Sequence, residues 1–185
     1  MSSEPQKLNR AVFLDRDGVL TPVFLRDGKP YATRTLEEFS FLPGIEGPLE
    51  RLQKAGFVLL VATNQPDIAR KKMTLEILLE MNRRLLSKLG TACGVRQVYF
   101  CPHDDPDHCG CRKPKPGMLL QGAKDWNLDL SRSFMIGDRG SDAEAGNAAG
   151  CRTILLNTSY NQGCPSDYRA STLEEAVRII LSSCS

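Results

Sequence analysis

Two pairs of aspartates occupy positions from which carboxylates can hold a metal ion. Asp15 and Asp17 lie two residues apart directly after an apolar run, and in extended backbone this spacing places both side chains on one side of the chain. Asp138 follows another apolar run, with Asp142 four residues further on. Carboxylates gathered in one place repel one another unless a cation lies among them, and hard oxygen ligands favour Mg²⁺. The alternative, open for Asp142 above all, is that such residues cap turns and helices.

Hydroxyl and ammonium groups elsewhere in the chain complete a set suited to phosphoryl chemistry. Thr63 follows the longest strongly apolar run, and Lys113 follows a cysteine-rich segment. A phosphoryl group carries its charge on the equatorial oxygens, so a hydroxyl and an ammonium are the donors that it needs. With carboxylate-bound Mg²⁺, these residues predict phosphoryl chemistry at a metal site.

A second group of metal ligands lies just before this lysine. Cys101, His103, Cys109 and Cys111 supply four soft ligands within eleven residues, which matches a closed tetrahedral structural Zn²⁺ site. The sequence therefore predicts a zinc-binding loop over residues 101–116. Free surface cysteines or a disulfide are the alternatives, although Cys-Gly-Cys is too tight for an easy bridge. The other cysteines are expected to be packing or surface residues: Cys93, Cys151, Cys164 and Cys184.

The apolar runs that precede these polar residues predict a parallel sheet. Short, β-branched, non-alternating runs are what a sheet buried on both faces requires. They span residues 11–14, 57–62, 97–100, 133–136 and 153–156. Because ligands bind beyond the carboxyl ends of such strands, the polar residues that follow them are expected to converge.

Amphipathic stretches between the apolar runs predict helices, and the alternation predicts a three-layer α/β sandwich with a mainly parallel central sheet. Thr172 and Glu175 form a capping-box pattern at the start of the last helix. The other helices are expected at residues 45–55, 118–126 and 142–149, and over a leucine stripe that Asn82 interrupts: Leu75, Leu78, Leu79, Leu85, Leu86 and Leu89.

Length and composition restrict the class of protein. The chain has 185 residues, which predicts a single domain over residues 1–185. A net charge of +2 gives no electrostatic reason to expect nucleic acid or a membrane as partner. The N-terminal residues contain no apolar secretory segment, and the longest apolar run is far shorter than a bilayer span. The expectation is a cytoplasmic monomer.

Four segments resemble the ordered motifs of the haloacid dehalogenase superfamily of phosphatases: FLDRDGVL, VATNQ, CRKPKPG and MIGDRGSD. The resemblance runs from Val12 to about Leu156 and implies a HAD-like Rossmannoid fold. It also implies a Mg²⁺-dependent phosphomonoesterase that acts through an aspartyl-phosphate. The interval from Asp17 to Thr63 is too short for the cap domain that many members carry.

The resemblance implies a role for each motif residue. Asp15 would be the nucleophile, and Asp17 the general acid and base. Mg²⁺ would be held by the Asp15 carboxylate, the backbone carbonyl of Asp17 and Asp138. Thr63 and Lys113 would stabilise the transferring group, and the structural Zn²⁺ would fix the position of Lys113.

Without a cap, the site is expected to be open, and loops must determine specificity. The predicted substrate-binding residues are Tyr31, in the loop 21–33, together with Asn64, Gln65, Arg112 and Arg139. Arg112 would recognise a second anionic part of the substrate. The alternative for Arg112 is a surface salt bridge.

Three groups of capless zinc-loop phosphatases resemble this chain, and they act on heptose 1,7-bisphosphate, histidinol phosphate or polynucleotide 3′-phosphates. CRKPKPGM and GDRGSDAEAGNAAGC are most similar to the heptose group, which predicts removal of the 7-phosphate of D-glycero-D-manno-heptose 1,7-bisphosphate for bacterial lipopolysaccharide and other surface glycans. However, Pro66-Asp67 replaces the usual Ser-Gly, and the five-residue interval between His103 and Cys109 equals that of histidinol-phosphatases.

The remaining alternatives fit the residues less well. A polynucleotide phosphatase would need a basic face or stacking aromatics, which the motifs lack. An inactive, zinc-stabilised binding module is also an alternative, but all five residues of the implied catalytic set are present.

Overall fold

The centre of the computed structural model, which describes residues 8–183, is a six-stranded sheet whose paired strands are all parallel. The sheet order is β5-β4-β1-β6-β7-β8, and β2 and β3 form a separate antiparallel hairpin. The strands in chain order are β1 (Arg10–Leu14), β2 (Phe24–Arg26), β3 (Lys29–Tyr31), β4 (Phe57–Asn64), β5 (Val95–Cys101), β6 (Phe134–Gly137), β7 (Arg152–Leu156) and β8 (Tyr168–Ala170).

Helices cover both faces of this sheet. In chain order they are α1 (Glu46–Lys54), α2 (Leu75–Leu85), α3 (Thr91–Cys93), α4 (Gly117–Trp126), α5 (Gly140–Ala149) and α6 (Leu173–Ser182). A wider π-helical turn, Leu86–Gly90, links α2 to α3. No helix within residues 8–183 is long and apolar enough to cross a membrane.

The alternating side chains of β1 divide the hydrophobic core into two layers. Val12 and Leu14 pack with the apolar faces of α1, α2 and α6 on one side of the sheet. Ala11 and Phe13 pack with α4 on the other side, where α5 also contacts β6 and β7. All five predicted strands are present, and the predicted three-layer sandwich with a mainly parallel sheet is confirmed.

Two short features go beyond the predicted elements. The hairpin β2–β3 lies inside the predicted loop 21–33, and β8 extends the sheet at its edge. Each of these strands has only three residues, too few to show a periodic pattern in the sequence. Between β1 and β4 the described chain contains the hairpin and α1, and no cap domain.

The predicted leucine stripe is wrong at two positions. Leu78 and Leu85 are fully buried, whereas Leu75 and Leu79 are 42% and 48% exposed. Consecutive residues of a helix point about 100° apart, and the buried face of α2 is formed by Leu78, Met81, Asn82 and Leu85, so Leu79 lies outside it.

Asn82, the predicted polar interruption of the stripe, faces the core. Its Oδ1 accepts a hydrogen bond from Nη1 of Arg16 at 3.2 Å, and Arg16 itself is fully buried. The amide therefore satisfies a buried guanidinium, which would otherwise carry a desolvation cost.

We expect the two neighbouring leucines of α2 to differ in their contribution to stability. Leu78→Ala leaves a cavity in the core and should lower the free energy of unfolding by about 2–5 kcal/mol. Leu79→Ala removes the same atoms from an exposed position and should change it by less than about 0.5 kcal/mol. Urea denaturation of both variants measures the difference, and equal losses would contradict the assigned helix face.

Candidate active site

The carboxyl ends of β4, β1 and β6 meet at one edge of the sheet. Asp15 follows β1 and its backbone N–H donates to the carbonyl of Ile136 at 2.9 Å, while Thr63 lies at the end of β4 and Asp138 follows β6. A cavity of about 300 Å³ opens at this edge. The predicted site residues that line it are Asp15, Asp17, Tyr31, Thr63, Asn64, Gln65, Arg112, Lys113 and Arg139.

Three buried carboxylates converge near the base of the cavity. Asp15, Asp138 and Asp142 each place one oxygen within 4.8 Å of the others. The Nζ atom of Lys113 lies 3.1 Å from Oδ1 of Asp15 and 2.6 Å from Oδ1 of Asp142, and it donates to the carbonyl of Ala62 at 2.6 Å. Asp142 thus joins the predicted carboxylates, and it also accepts the backbone N–H of Arg139 at the start of α5.

The cluster carries more negative charge than one lysine offsets. Burial, together with the neighbouring carboxylates, raises the pKa of Asp15 to about 6 and that of Asp138 to about 8. Burial also disfavours the charged form of Lys113, but Asp142 and Asp15 outweigh it and raise the lysine pKa above its usual value. The site therefore favours an additional cation.

The donor set fits a hard divalent cation such as Mg²⁺. Oδ1 of Asp138 is buried and has no hydrogen-bond partner among the described residues. Its other oxygen, Oδ2, accepts the hydroxyl of Tyr160, and Nδ2 of Asn161 donates to the Asp138 carbonyl at 2.8 Å. One oxygen is thus held by the protein and the other is left for a metal ion.

Gly18 allows the chain to pass this carboxylate. Its φ is +91°, and a Cβ atom built there would lie 2.1 Å from Oδ2 of Asp138. A side chain at this position would displace the carboxylate as well as strain the backbone.

The Asp17 carboxylate lies in a separate network beside the cluster. It forms a 3.0 Å ion pair with Arg16 and accepts hydrogen bonds from Thr21 at 3.0 Å and from Gln65 at 2.7 Å. The hydroxyl of Thr63 lies 3.5 Å from the same carboxylate. Asp17 is thereby fixed in the wall of the cavity, two residues from Asp15.

Asn64 and Gln65, predicted to bind substrate, are engaged with other protein groups. Asn64 hydrogen-bonds both backbone polar groups of Lys113. Its Nδ2 donates to the carbonyl at 2.9 Å, and its Oδ1 accepts the N–H at 3.0 Å. Gln65 donates from Nε2 to Asp17 and, at 2.9 Å, to Thr63. Both residues line the cavity while holding other site residues in place.

The four predicted zinc ligands converge. Adjacent ligand atoms of Cys101, His103, Cys109 and Cys111 are 3.1–3.6 Å apart. A tetrahedral Zn²⁺ with Zn–S bonds near 2.3 Å separates its ligand atoms by roughly 3.8 Å, so the cluster fits this ion. Burial alone would raise the pKa of the Cys109 thiol, but the backbone N–H of Arg112 and the neighbouring thiols lower it to about 7.

The other four cysteines differ in their burial. Cys93 and Cys151 are buried and Cys164 is half-buried, while Cys184 lies outside the described residues.

The predicted recognition residues Arg112 and Arg139 contact other protein groups. Arg112 donates from Nε to Asp105 at 2.6 Å, and Arg139 donates from Nη2 to the carbonyl of Pro30 at 3.1 Å. The guanidinium of Arg34 lies 5.5 Å from the ring centre of Tyr31.

Several residues at the site had no predicted role, among them Tyr160, Asn161 and Arg70. Tyr160 and Asn161 follow β7, so the rule about strand ends could have identified them. Arg70 lies beyond the VATNQ motif and lines the cavity, and nothing in the local sequence distinguishes it from a solvated arginine.

Comparison with known proteins identifies the family. Residues 110–176 match the HAD-hydrolase-like family model. The D-glycero-β-D-manno-heptose-1,7-bisphosphate 7-phosphatase of Pseudomonas aeruginosa is 39% identical over 80% of this chain and 80% of its own length. The Helicobacter pylori (strain 26695) protein of the same name is 39% identical over 80% of this chain and 83% of its own.

Solved structures agree with these sequence relatives. The D,D-heptose 1,7-bisphosphate phosphatase of B. bronchiseptica, crystallised with magnesium and phosphate, superposes with a TM-score of 0.81 at 28% identity. The alignment covers 94% of this chain and 99% of that one. The chain therefore belongs to the HAD-like phosphatase family that contains the heptose-1,7-bisphosphate 7-phosphatases.

We expect Gly18→Ala to disrupt the site far more than a matched glycine substitution. Gly56 has a similar φ of +84°, but nothing lies within 4 Å of a Cβ there. Gly56→Ala should therefore cost only the left-handed backbone strain, about 1–2 kcal/mol of unfolding free energy. Gly18→Ala should cost clearly more, because the clash with Asp138 adds to the strain. Equal costs in chemical denaturation would contradict the close packing of Gly18 on Asp138.

Proposed function

We propose that this protein is a Mg²⁺-dependent phosphatase that removes the 7-phosphate of D-glycero-D-manno-heptose 1,7-bisphosphate through an aspartyl-phosphate intermediate. The observation that carries the proposal is the position of Lys113 between Asp15 and Asp142, beside the orphaned oxygen of Asp138. This arrangement suits a phosphate dianion that must approach a carboxylate. The names of the relatives support the choice of substrate.

Asp15 is the proposed nucleophile. One of its carboxylate oxygens forms a bond to phosphorus while the bond from phosphorus to the sugar oxygen breaks. Asp17, fixed two residues away, gives a proton to the departing alkoxide and then takes one from the water that hydrolyses the aspartyl-phosphate. Asn64 holds the backbone of Lys113, so the ammonium stays beside the reacting carboxylate.

Repulsion between Asp15 and the phosphate dianion is the main barrier that the site must lower. Lys113 supplies one positive charge at 3.1 Å from Asp15, and Thr63 supplies a hydroxyl donor. Asp15, Asp138 and the backbone carbonyl of Asp17 would hold Mg²⁺, which supplies further charge neutralisation when bound. Asp142, whose Oδ1 lies 2.6 Å from Nζ of Lys113, acts as a hydrogen-bond acceptor and counter-charge for that ammonium.

The zinc loop has a structural role in this proposal. Zn²⁺ on the cluster of Cys101, His103, Cys109 and Cys111 would fix the segment that continues directly into Arg112 and Lys113. The loop would thereby position the lysine that the sheet does not supply.

Substrate choice rests on the residues around the cavity mouth. Arg112 would bind the remote phosphate of the bisphosphate, and Arg139 and Tyr31 also line the cavity. The short interval between His103 and Cys109 favours histidinol phosphate as the second candidate, and a direct comparison of the two substrates separates them. We further propose that the enzyme is a cytoplasmic monomer of heptose biosynthesis that needs no nucleic acid or membrane.

Asp15→Asn should abolish turnover while leaving the fold intact. The amide keeps the shape of the side chain but loses the attacking charge, so kcat/KM should fall by about 10⁴-fold or more. Initial rates on p-nitrophenyl phosphate with saturating Mg²⁺ measure this, and circular dichroism monitors folding. Glu144→Gln, at an exposed position on α5, is the control for loss of a carboxylate. A rate within tenfold of wild type for Asp15→Asn would exclude the aspartyl-phosphate mechanism.

Cys109→Ser should release zinc and lower both stability and activity. Purified wild-type protein should contain about one Zn²⁺ per chain by elemental analysis. The variant should lose that ion, unfold at lower denaturant concentration and lose activity by roughly 10–100-fold, because Lys113 is no longer held. Cys164→Ser, outside the cluster, should retain zinc. A zinc-free wild-type protein with full activity would refute the role of the loop.

A further inference from the structure

Six charged side chains of alternating sign form a row that we call the ionic wall. It joins the segment after the hairpin, the turn after β4 and the zinc loop, three parts of the chain that are distant in sequence. In spatial order its members are Arg34, Asp67, Arg70, Asp104, Arg112 and Asp105. Four of the six line the cavity: Asp67, Arg70, Asp105 and Arg112.

Asp104 is the centre of the ionic wall. Arg70 donates to it through two parallel hydrogen bonds of 2.6 Å, from Nε to Oδ2 and from Nη2 to Oδ1. Nη2 of Arg112 lies 3.9 Å from the same Oδ1. Of the two arginines, only Arg70 is hydrogen-bonded to Asp104, whereas Nε of Arg112 donates to Oδ1 of Asp105 at 2.6 Å.

Asp104 lies behind the two arginines. It does not line the cavity, whereas Arg70 and Arg112 both do. The side chain of Asp104 is 23% exposed, compared with 79% for Asp105. A bidentate pair restricts an arginine side chain far more than a single exposed contact does.

The hydrogen bonds to Asp104 leave donors of Arg70 unused. Nη1 of Arg70 lies 3.9 Å from Asp67, which is beyond hydrogen-bond distance. A phosphate accepts several charge-assisted hydrogen bonds, and two guanidiniums held on one side of it lose little rotamer entropy on binding. The ionic wall is thus organised to bind a second anionic group of the substrate.

We propose that Arg70 is a second binding residue for the remote phosphate of the substrate, beside Arg112, and that Asp104 is the residue that positions Arg70. This inference rests on the proposed function, since it specifies where the phosphate that is not cleaved binds. Asp104 acts through Arg70 and does not touch the substrate.

The test compares heptose 1,7-bisphosphate with heptose 7-phosphate. The measured quantity is the preference, the ratio of the two kcat/KM values. Asp104→Asn keeps the size of the side chain and its capping oxygen but cannot accept both bonds from Arg70. We expect the preference to fall about tenfold, mainly through KM for the bisphosphate, in Asp104→Asn and in Arg70→Ala. The double variant should be no worse than Arg70→Ala alone.

Two further variants separate positioning from loop structure. Asp104→Glu keeps a carboxylate and should recover part of the preference. Asp107→Asn is the control within the same zinc loop. Asp107 accepts the backbone N–H of Asp104 but contacts neither arginine, so this variant should have the same preference as the wild type. Zinc content, measured for every variant, should be unchanged.

The possible contrary results differ in what they overturn. Equal losses on both substrates in Asp104→Asn, or a matching loss of preference in Asp107→Asn, would show that Asp104 only supports the loop. An unchanged preference in Asp104→Asn would overturn the subsite while leaving the proposed function intact. A wild-type enzyme that cleaves p-nitrophenyl phosphate but does not prefer the bisphosphate would overturn the proposed substrate together with the subsite.

Discussion

Three carboxylates buried around one ammonium are the constraint on which the rest of this structure depends. Removing Asp15, Asp138 and Asp142 from water is costly, and that cost appears in the raised pKa values of Asp15 and Asp138. Such a cluster persists only where a rigid frame holds the carboxylates together and cations offset them. The parallel order β4-β1-β6 provides the frame, because it brings the residues that follow β1 and β6 to one edge.

The ammonium comes from a loop and therefore needs separate support. Lys113 lies in no strand or helix, yet its Nζ is within 3.1 Å of two carboxylates. The amide of Asn64 fixes its backbone from the β4 side, and a metal ion on the Cys/His cluster would fix the chain on the other side. A structural metal ion is an economical way to immobilise a loop that has few apolar residues to bury.

The sequence predicts where the candidate site residues converge, because their positions follow from the sheet. Apolar runs that do not alternate identify buried parallel strands, and the residue after each run lies at the active edge. Asp15, Thr63 and Asp138 were all found by this rule. The rule does not predict contacts that tertiary packing decides. Side-chain directions that no local pattern encodes determine the exposure of Leu79, the burial of the Asn82 amide and the hydrogen bonds between Asn64 and Lys113.

The same distinction explains why the sequence predicts the reaction more firmly than the substrate. In the proposed function, specificity depends on loop residues joined by ion pairs across the chain, such as Arg34 with Asp67 at 2.5 Å and Arg70 with Asp104. Asp67 stands where the family pattern has glycine, so the ionic wall includes a carboxylate that the motif alone does not imply. In the proposed function, Arg70 and Arg112 contact only the remote part of the substrate, so substitutions at these two loop positions should change which ester binds without altering how its phosphate is removed.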